Sequence, residues 1–313
     1  MTSGQLRGLI WALSFVLLEA VQAVFFGGVF QSYDSFLVGA AVFGTTAFGT
    51  LLWANVFTPS QLQIAWANSS SLLGLNLSTA VVWVSYFYAL QLIEPTVAFT
   101  IFSGLIPATI VVASIMRVPE ASGLRNKVEA LGLAIVVAGV VYLAAITLLG
   151  RSGFVRGNTI AALIGVVLSV ISAISLAFMM IYSQRLDRLG VAPFAQYGLR
   201  FPLYVLIALL AVAFGLDDKG GFEPIGLLFI VLVGVAVIAF PVFAMQKAIS
   251  LMPSLSLAAV TALGPLFVFF LQLMEGRVAY ASATMTGLAV YFVGAVLAAY
   301  GGNAPSRAGK RKS

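Results

Sequence analysis

The chain has no cysteine and no histidine, and only 8% of its 313 residues are charged. Without cysteine there are no disulfides, no thiolate nucleophiles and no sulfur-ligated zinc or iron sites. Without histidine the chain lacks the commonest ligand for transition metals and the side chain that titrates near neutral pH. An H-E-x-x-H zinc enzyme is excluded, and the adjacent acids Asp217 and Asp218 have no metal-ligand partners at a suitable spacing. No cofactor and no metal are expected, and the chain does not read as an enzyme. The one enzymatic alternative left is a membrane-embedded enzyme that modifies a prenyl chain or a lipid. The shortage of charge also argues against a soluble domain, in which about a quarter of residues are charged.

What is present is apolar length. Hydrophobic residues make up 61% of the chain, and the mean hydropathy is +1.09. They fall in runs of about 20 residues, enough for a helix to cross a bilayer. The runs are continuous and do not alternate, which argues for helices over a β-barrel. Ten spans are expected, at 8–30, 36–57, 67–92, 95–117, 128–149, 158–183, 193–215, 224–247, 254–275 and 281–301. Connections are short and leave no room for an extramembrane domain. The first run is too long for a cleavable signal peptide and carries Glu19, so it reads as the first transmembrane helix.

The net charge of +6 reflects loop bias and no nucleic-acid partner. With a cytoplasmic N-terminus, Arg7, Arg117, Arg125, Lys127, Arg185, Arg188, Lys247, Arg307, Lys310, Arg311 and Lys312 lie inside. Arg151, Arg156, Lys219 and Arg277 lie outside. This asymmetry places a multi-pass protein in the inner (plasma) membrane with both termini cytoplasmic.

The two halves of the chain repeat. Ala89–Pro107 (ALQLIEPTVAFTIFSGLIP) parallels Lys247–Pro265 (KAISLMPSLSLAAVTALGP), with Pro95 and Pro107 spaced like Pro253 and Pro265. Farther on, Gly132–Gly139 (GLAIVVAG) parallels Gly287–Gly294 (GLAVYFVG). Five spans per copy is an odd number, so the second copy enters the membrane upside down. The expected fold is an all-α membrane protein of ten transmembrane helices, arranged as two inverted five-helix repeats around a central cavity. Residues 1–150 form the first repeat, 151–303 the second and 304–313 a basic cytoplasmic tail. Inverted repeats are typical of secondary transporters, with the site near the midplane between the halves.

The stretch Ala248–Glu275, with its central Pro265 and final Glu275, resembles the drug/metabolite transporter superfamily in its ten-helix EamA-type branch. Ala89–Pro107 repeats the opening and the proline, but Arg117 stands near the matching end and Glu120 is displaced into the loop. Arg200, in QYGLRFPLY, looks like the arginine often found in the seventh span of that family. The second span has no counterpart. The resemblance implies a helix basket around a central cavity and alternating access, with substrates among amino acids, sugars, nucleotide sugars, drugs and other metabolites. Half-sized relatives carry one essential glutamate in their first helix, and Glu19 occupies a similar place.

Glu19 is the midpoint acid of an otherwise apolar span, and an intramembrane carboxylate is functional by default. Its structural alternative is an acid held neutral by Gln22 or a hydroxyl. Helical spacing adds three polar stripes. One runs through Asn76, Thr79, Trp83 and Tyr86; a second through Thr96, Thr100, Ser103 and Pro107; a third through Ser254, Ala258, Thr261 and Pro265, followed by Gln272. Aligning Gln31–Asp34 with Gln184–Asp187 pairs Glu19 with Ser172 and Gln22 with Ser175. Trp83, Tyr86, Phe178 and Phe25 are candidate apolar walls. The hydroxyls have a structural alternative, bonding to their own backbone. Pro107 and Pro265 read equally as hinges or as packing kinks. Arg200 is expected to tie helix ends or snorkel to the headgroups, with Glu19 or an anion as alternative partners. Gly132, Gly139, Gly287 and Gly294 read as packing sites that join spans five and ten.

The function expected is export of a small amphipathic metabolite or amino acid by alternating access, with Glu19 as the candidate for proton coupling. Alternatives on the same fold are a multidrug carrier and a lipid-carrier or nucleotide-sugar translocator. The partners are a small-molecule substrate and the bilayer, and the chain acts as a monomer or homodimer.

Overall fold

The structure is a computed structural model that describes residues 3–221, 223–251 and 260–303. Among these residues the fold is helical, and its only β feature is one antiparallel bridge between Ile93 and Val155. The helices are α1 (Ser3–Val29), α2 (Ser35–Phe57), α3 (Pro59–Ala67), α4 (Ser69–Leu92), α5 (Pro95–Ile115), α6 (Lys127–Leu148), α7 (Thr159–Arg188), α8 (Pro193–Leu199), α9 (Pro202–Ala213), α10 (Pro224–Leu251), α11 (Gly264–Glu275) and α12 (Ser282–Asn303).

Eight of the spans are long and apolar enough to cross a membrane: α1, α2, α4, α5, α6, α7, α12 and the broken rod α8–α9. Two shorter apolar helices, Pro224–Ile238 in α10 and Gly264–Glu275, accompany them. This is a multi-pass helical membrane protein. Large apolar side chains on the outside of the bundle, such as Phe48, Leu206, Phe229 and Val293, are exposed as a lipid-facing surface requires.

The helix ends follow from sequence. Asp34, Asn126 and Asn158 cap α2, α6 and α7, each side chain accepting from two backbone amides in the first turn. Prolines open α3, α5, α8, α9 and α11, where the missing amide costs no hydrogen bond. Pro265 stands in the first turn of α11, directly after a two-residue turn at 262–263 that follows helical residues 260–261. Pro107 does lie inside α5, and Pro241 inside α10. Ser254, Ala258 and Pro253 fall outside the described residues. The linker before residue 69 contains the short helix α3, which the hydropathy pattern did not separate.

The main packing partners are α6 with α12, α4 with α7, α1 with α10 and α11, α5 with α7 and α11, α2 with α8, α9 and α10, and α4 with α9. The α6–α12 seam is made by glycine. A β-carbon at Gly132 would collide with the backbone of Ala298, and one at Gly294 with the backbone of Val136. The two helices therefore touch main chain to main chain, which small residues alone permit.

Loops gather at two ends. At one end Ser35, the first residue of α2, donates through both N–H and Oγ to Asp217 at 2.9 and 2.7 Å. Lys219 bridges Asp217 and Gln91. At the other end Arg185 of α7 pairs bidentately with Glu120 at 2.9 and 2.8 Å. Asn126 donates to the Gly301 carbonyl, and Gln61 accepts from the Ala192 amide at 2.9 Å.

The Arg185 guanidinium holds the Glu120 carboxyl below the usual carboxylate range through its hydrogen bonds. A lowered folded-state pKa gives stabilisation that is complete above the ordinary glutamate value and is lost as pH falls through the lowered one. Arg185→Gln should therefore lower the melting temperature at neutral pH, where that stabilisation is complete, and change little at acid pH below the lowered value, so that the acid limb of the profile flattens. At the seam, Gly132→Val should destabilise the fold by about 1–3 kcal/mol, as overpacking does, and thermal melting in detergent measures it.

Candidate functional site

Glu19 lies in the middle of α1, half-buried, and has no hydrogen-bond or ion-pair partner among the described residues. It is close enough to Tyr86 of α4 to act on it electrostatically. Tyr86 is buried and stacks on Phe102 of α5 with ring centroids 4.5 Å apart. Three helices of the first half thus converge at the acid. From Tyr86 an aromatic wall runs along α4 to Trp83 at 6.4 Å, then to Phe43 of α2 at 4.7 Å and Phe201 at 4.4 Å. Trp83 is half-buried and Phe43 has no exposed surface. An unpaired carboxyl beside aromatic faces can hold a cation or a proton, because ring quadrupoles and the acid both favour positive charge.

Other residues expected at the site are elsewhere or already committed. Gln22 is buried one turn beyond Glu19. Thr79, Thr100 and Ser172 are fully buried, with hydroxyls bonded to the carbonyls of Leu75, Thr96 and Ser169 on their own helices. Back-bonding of this kind spends the hydroxyl proton within hydrocarbon, and full burial keeps the oxygen lone pairs out of a ligand's reach. Ser175 and Phe178 are half-buried on α7, and Thr261 is half-buried just beyond the undescribed stretch 252–259.

Ser103 and Pro107 line a cavity of about 430 Å³ between α5, α6 and α12, where Ser103 Oγ approaches Tyr291 Oη at 3.4 Å. A 3.6-residue period puts Ser103 and Thr100 on neighbouring positions, but Thr100 is fully buried while Ser103 borders the cavity beside α6 and α12.

Asn76 has a structural task. The rod α8–α9 is interrupted at Arg200–Phe201, ahead of Pro202. A proline there removes an amide and frees a carbonyl. Asn76 bridges the break: its Nδ2 donates to the Leu199 carbonyl at 2.8 Å, and its Oδ1 accepts from the Leu203 amide at 3.3 Å. It also borders a groove of about 710 Å³ between α2, α3, α4 and the broken rod.

Gln272 is likewise not a cavity residue. Its amide donates to Glu94 Oε1 and its oxygen accepts from the Thr96 amide at 3.1 Å. Glu94 is the residue that sequence reasoning missed. It has no exposed surface, and its Oε2 accepts from the Gly153 amide at 2.8 Å and Thr284 Oγ1 at 2.9 Å. Burial pushes its carboxyl above the ordinary range, against the opposing effect of these hydrogen bonds. Glu19 is therefore not the only secluded acid. The available signal was an acid directly before Pro95 at a helix start, a position that ordinarily reads as a solvated cap.

No protein-family model matches the chain, and no curated protein does. Among solved structures, one described as "Crystal structure of protein" superposes with a TM-score of 0.61, covering 93% of this chain and 96% of that one at 18% identity. The two share a fold. The likeness carries no information about activity.

Removing the bridge over the helix break should be costly. Asn76→Leu leaves the Leu199 carbonyl and the Leu203 amide without their side-chain partner and should lower stability by about 1–3 kcal/mol. Thermal melting in detergent measures the loss, with Thr79→Val as a comparison that strips no partner from another helix.

Proposed function

We propose that the chain is a ten-span secondary transporter of a small amphipathic metabolite or amino acid, working by alternating access, with Glu19 at the central site. The observation that carries this reading is Glu19 itself, a mid-span carboxyl with no hydrogen-bond or ion-pair partner among the described residues, close to Tyr86 at the end of the aromatic wall. In a bilayer such a group is costly unless it binds something.

The helix partnerships support two inverted repeats. Exchanging α1 with α7, α2 with α8–α9, α4 with α10, α5 with α11 and α6 with α12 turns the α1–α10 contact into the α7–α4 contact. The same exchange turns α5–α7 into α11–α1 and α2–α10 into α9–α4. It maps α2–α9, α5–α11 and α6–α12 onto themselves. A two-fold axis in the membrane plane generates such a pattern, and transporters with inverted repeats bind substrate on that axis. Counting α10 and α11 as spans gives the ten.

The basic loops put the Glu120–Arg185 end in the cytoplasm. The opposite end is tied by Glu94 and by the Asp217–Lys219–Gln91 group, as the cytoplasmic end is by Glu120 and Arg185. Opening there exchanges those hydrogen bonds for bonds to water. Glu19 then serves as the relay: it is protonated or amine-bound on one side and discharged on the other.

Glu19→Gln should abolish pH-dependent transport in proteoliposomes loaded with candidate amino acids and amines, while the melting curve stays close to wild type. Counterflow and pH response identical to wild type would sink the coupling role.

A further inference from the structure

The cavity of about 430 Å³ between α5, α6 and α12 is built as a shaft with a polar mouth. Its floor is the ring of Tyr291, on which α5 rests through Gly104: a β-carbon there would lie 3.0 Å from the ring. The two floor hydroxyls answer each other, with Tyr291 Oη 3.4 Å from Ser103 Oγ, and Ser103 donates to the Phe99 carbonyl at 2.8 Å. The walls above are small and apolar, from Pro107, Leu133, Val136, Ala295 and Ala298. Pro107 is exposed, so a chain can enter from the side. The mouth is formed by Ser122, Arg125, Glu129 and Gly302. From Tyr291 to Gly302, α12 rises about 16 Å. That matches one leaflet of hydrocarbon, about half of a 30 Å core.

The mouth is basic. Arg125 Nη1 donates to the Gly302 carbonyl at 2.6 Å, which holds the guanidinium there and leaves its Nε and Nη2 with no protein partner among the described residues. The one acid at the mouth, Glu129, accepts from the backbone amide of Arg125 and makes no ion pair among those residues. Lys127 opens α6 beside it, at the positive end of that helix. Beyond the described residues the chain continues from this mouth with Arg307, Lys310, Arg311 and Lys312. Arg307 follows Gly302 closely enough to stand at most about 18 Å from it. Glu129 is therefore outnumbered by basic side chains within reach of the opening.

Apolar walls one leaflet deep under a basic mouth match an amphiphile of that same leaflet. Left empty, the shaft forfeits dispersion contacts on every wall. A soluble anion engages the mouth alone and leaves the shaft unfilled. We propose that this cavity is a site for an anionic phospholipid of the cytoplasmic leaflet, with one acyl chain in the shaft against Tyr291 and the phosphate at Arg125 and the basic tail. The leaflet follows from the bias of the basic loops. The bound lipid fills the space between the half of α5 beyond Pro107 and the α6–α12 pair, and so braces one against the other. The site is separate from Glu19, and its failure leaves the transport reading standing.

The test is binding to the purified full-length protein in detergent, read by native mass spectrometry and by melting temperature. The probes are dioleoylphosphatidylglycerol, dioleoylphosphatidylcholine, dihexanoylphosphatidylglycerol and glycerol 3-phosphate. The first should bind about tenfold or more tighter than the phosphatidylcholine, with a preference that shrinks as salt is raised. The dihexanoyl lipid, whose chains are too short to reach Tyr291, should bind about tenfold or more weaker than the dioleoyl one, and glycerol 3-phosphate weaker still. Arg125→Gln should weaken dioleoylphosphatidylglycerol about fivefold, the share of one basic residue at an anionic surface, and ending the chain after Asn303 should weaken it about tenfold or more. Arg151→Gln, at the opposite end of the bundle, should leave binding as in wild type. Ala295→Phe fills the shaft and should remove the advantage of the long chains; the dihexanoyl probe reads the shaft even if that variant fails to fold. Equal binding of the two dioleoyl lipids overturns the assignment, as does binding unchanged by both Arg125→Gln and the shortened chain. Dihexanoyl lipid or glycerol 3-phosphate bound as tightly as the dioleoyl lipid overturns it as well, because the mouth then acts without the shaft.

Discussion

A carboxyl sealed from solvent must find its hydrogen bonds within the protein, and Glu94 finds three of them on three different segments. Gly153 belongs to the loop between the two halves, Gln272 to α11 and Thr284 to α12. Through Gln272 the same knot reaches the Thr96 amide at the start of α5. A single side chain thus fastens the first half to the second at one end of the bundle. Each bond is worth more here than at a wet surface, because its loss leaves a polar group with no water to replace the partner. The cost of burying the acid and the strength with which it ties the helices have the same origin.

The same rule sorts the rest of the polar interior into groups that are satisfied and groups that are not. Threonine and serine hydroxyls fold back on their own helices. Asn76 spends both ends of its amide on the interrupted rod α8–α9. What remains among the described residues is the Glu19 carboxyl, Arg200 Nε with the neighbouring Tyr197 hydroxyl, the Thr96 and Ser152 hydroxyls, and the two terminal nitrogens of Arg277. Residual unsatisfied charge marks the places where a ligand has something to gain by binding. Residue type and depth alone would have pointed to a longer list.

How much of this was readable beforehand follows from what each signal measures. Hydropathy measures burial in hydrocarbon, so the ends of α1, α2, α4, α5 and α6 fall within a few residues of expectation. Glycine spacing measures close approach, and Gly132 and Gly294 do sit on backbone. Helical periodicity measures only which side of a helix a residue occupies. It could not tell that the open space beside Ser103 and Pro107 lies toward α6 and α12, and so it grouped them with Tyr86. Repeat alignment equated Pro265 with Pro107, although one opens a helix and the other lies within one. Glu94 was passed over because its burial comes from loops that converge in space, and no local pattern encodes that.

The two kinds of packing set where the bundle can move. The α6–α12 seam joins main chain to main chain through glycine, with no side chains whose rotamers could absorb a shift. It is a fixed stave. Around the aromatic wall the contacts are ring on ring, at 4.4–6.4 Å and at angles from stacked to edge-on. Such contacts exchange one favourable geometry for another at small cost. The rod α8–α9 already carries a break beside that wall, with α2 and α4 packed against it. Rearrangement is therefore cheapest where Arg200, Phe201 and Phe43 meet, and most expensive at the glycine seam. The aromatic wall is thus the compliant part of the structure, and the glycine seam is the part that stays in place.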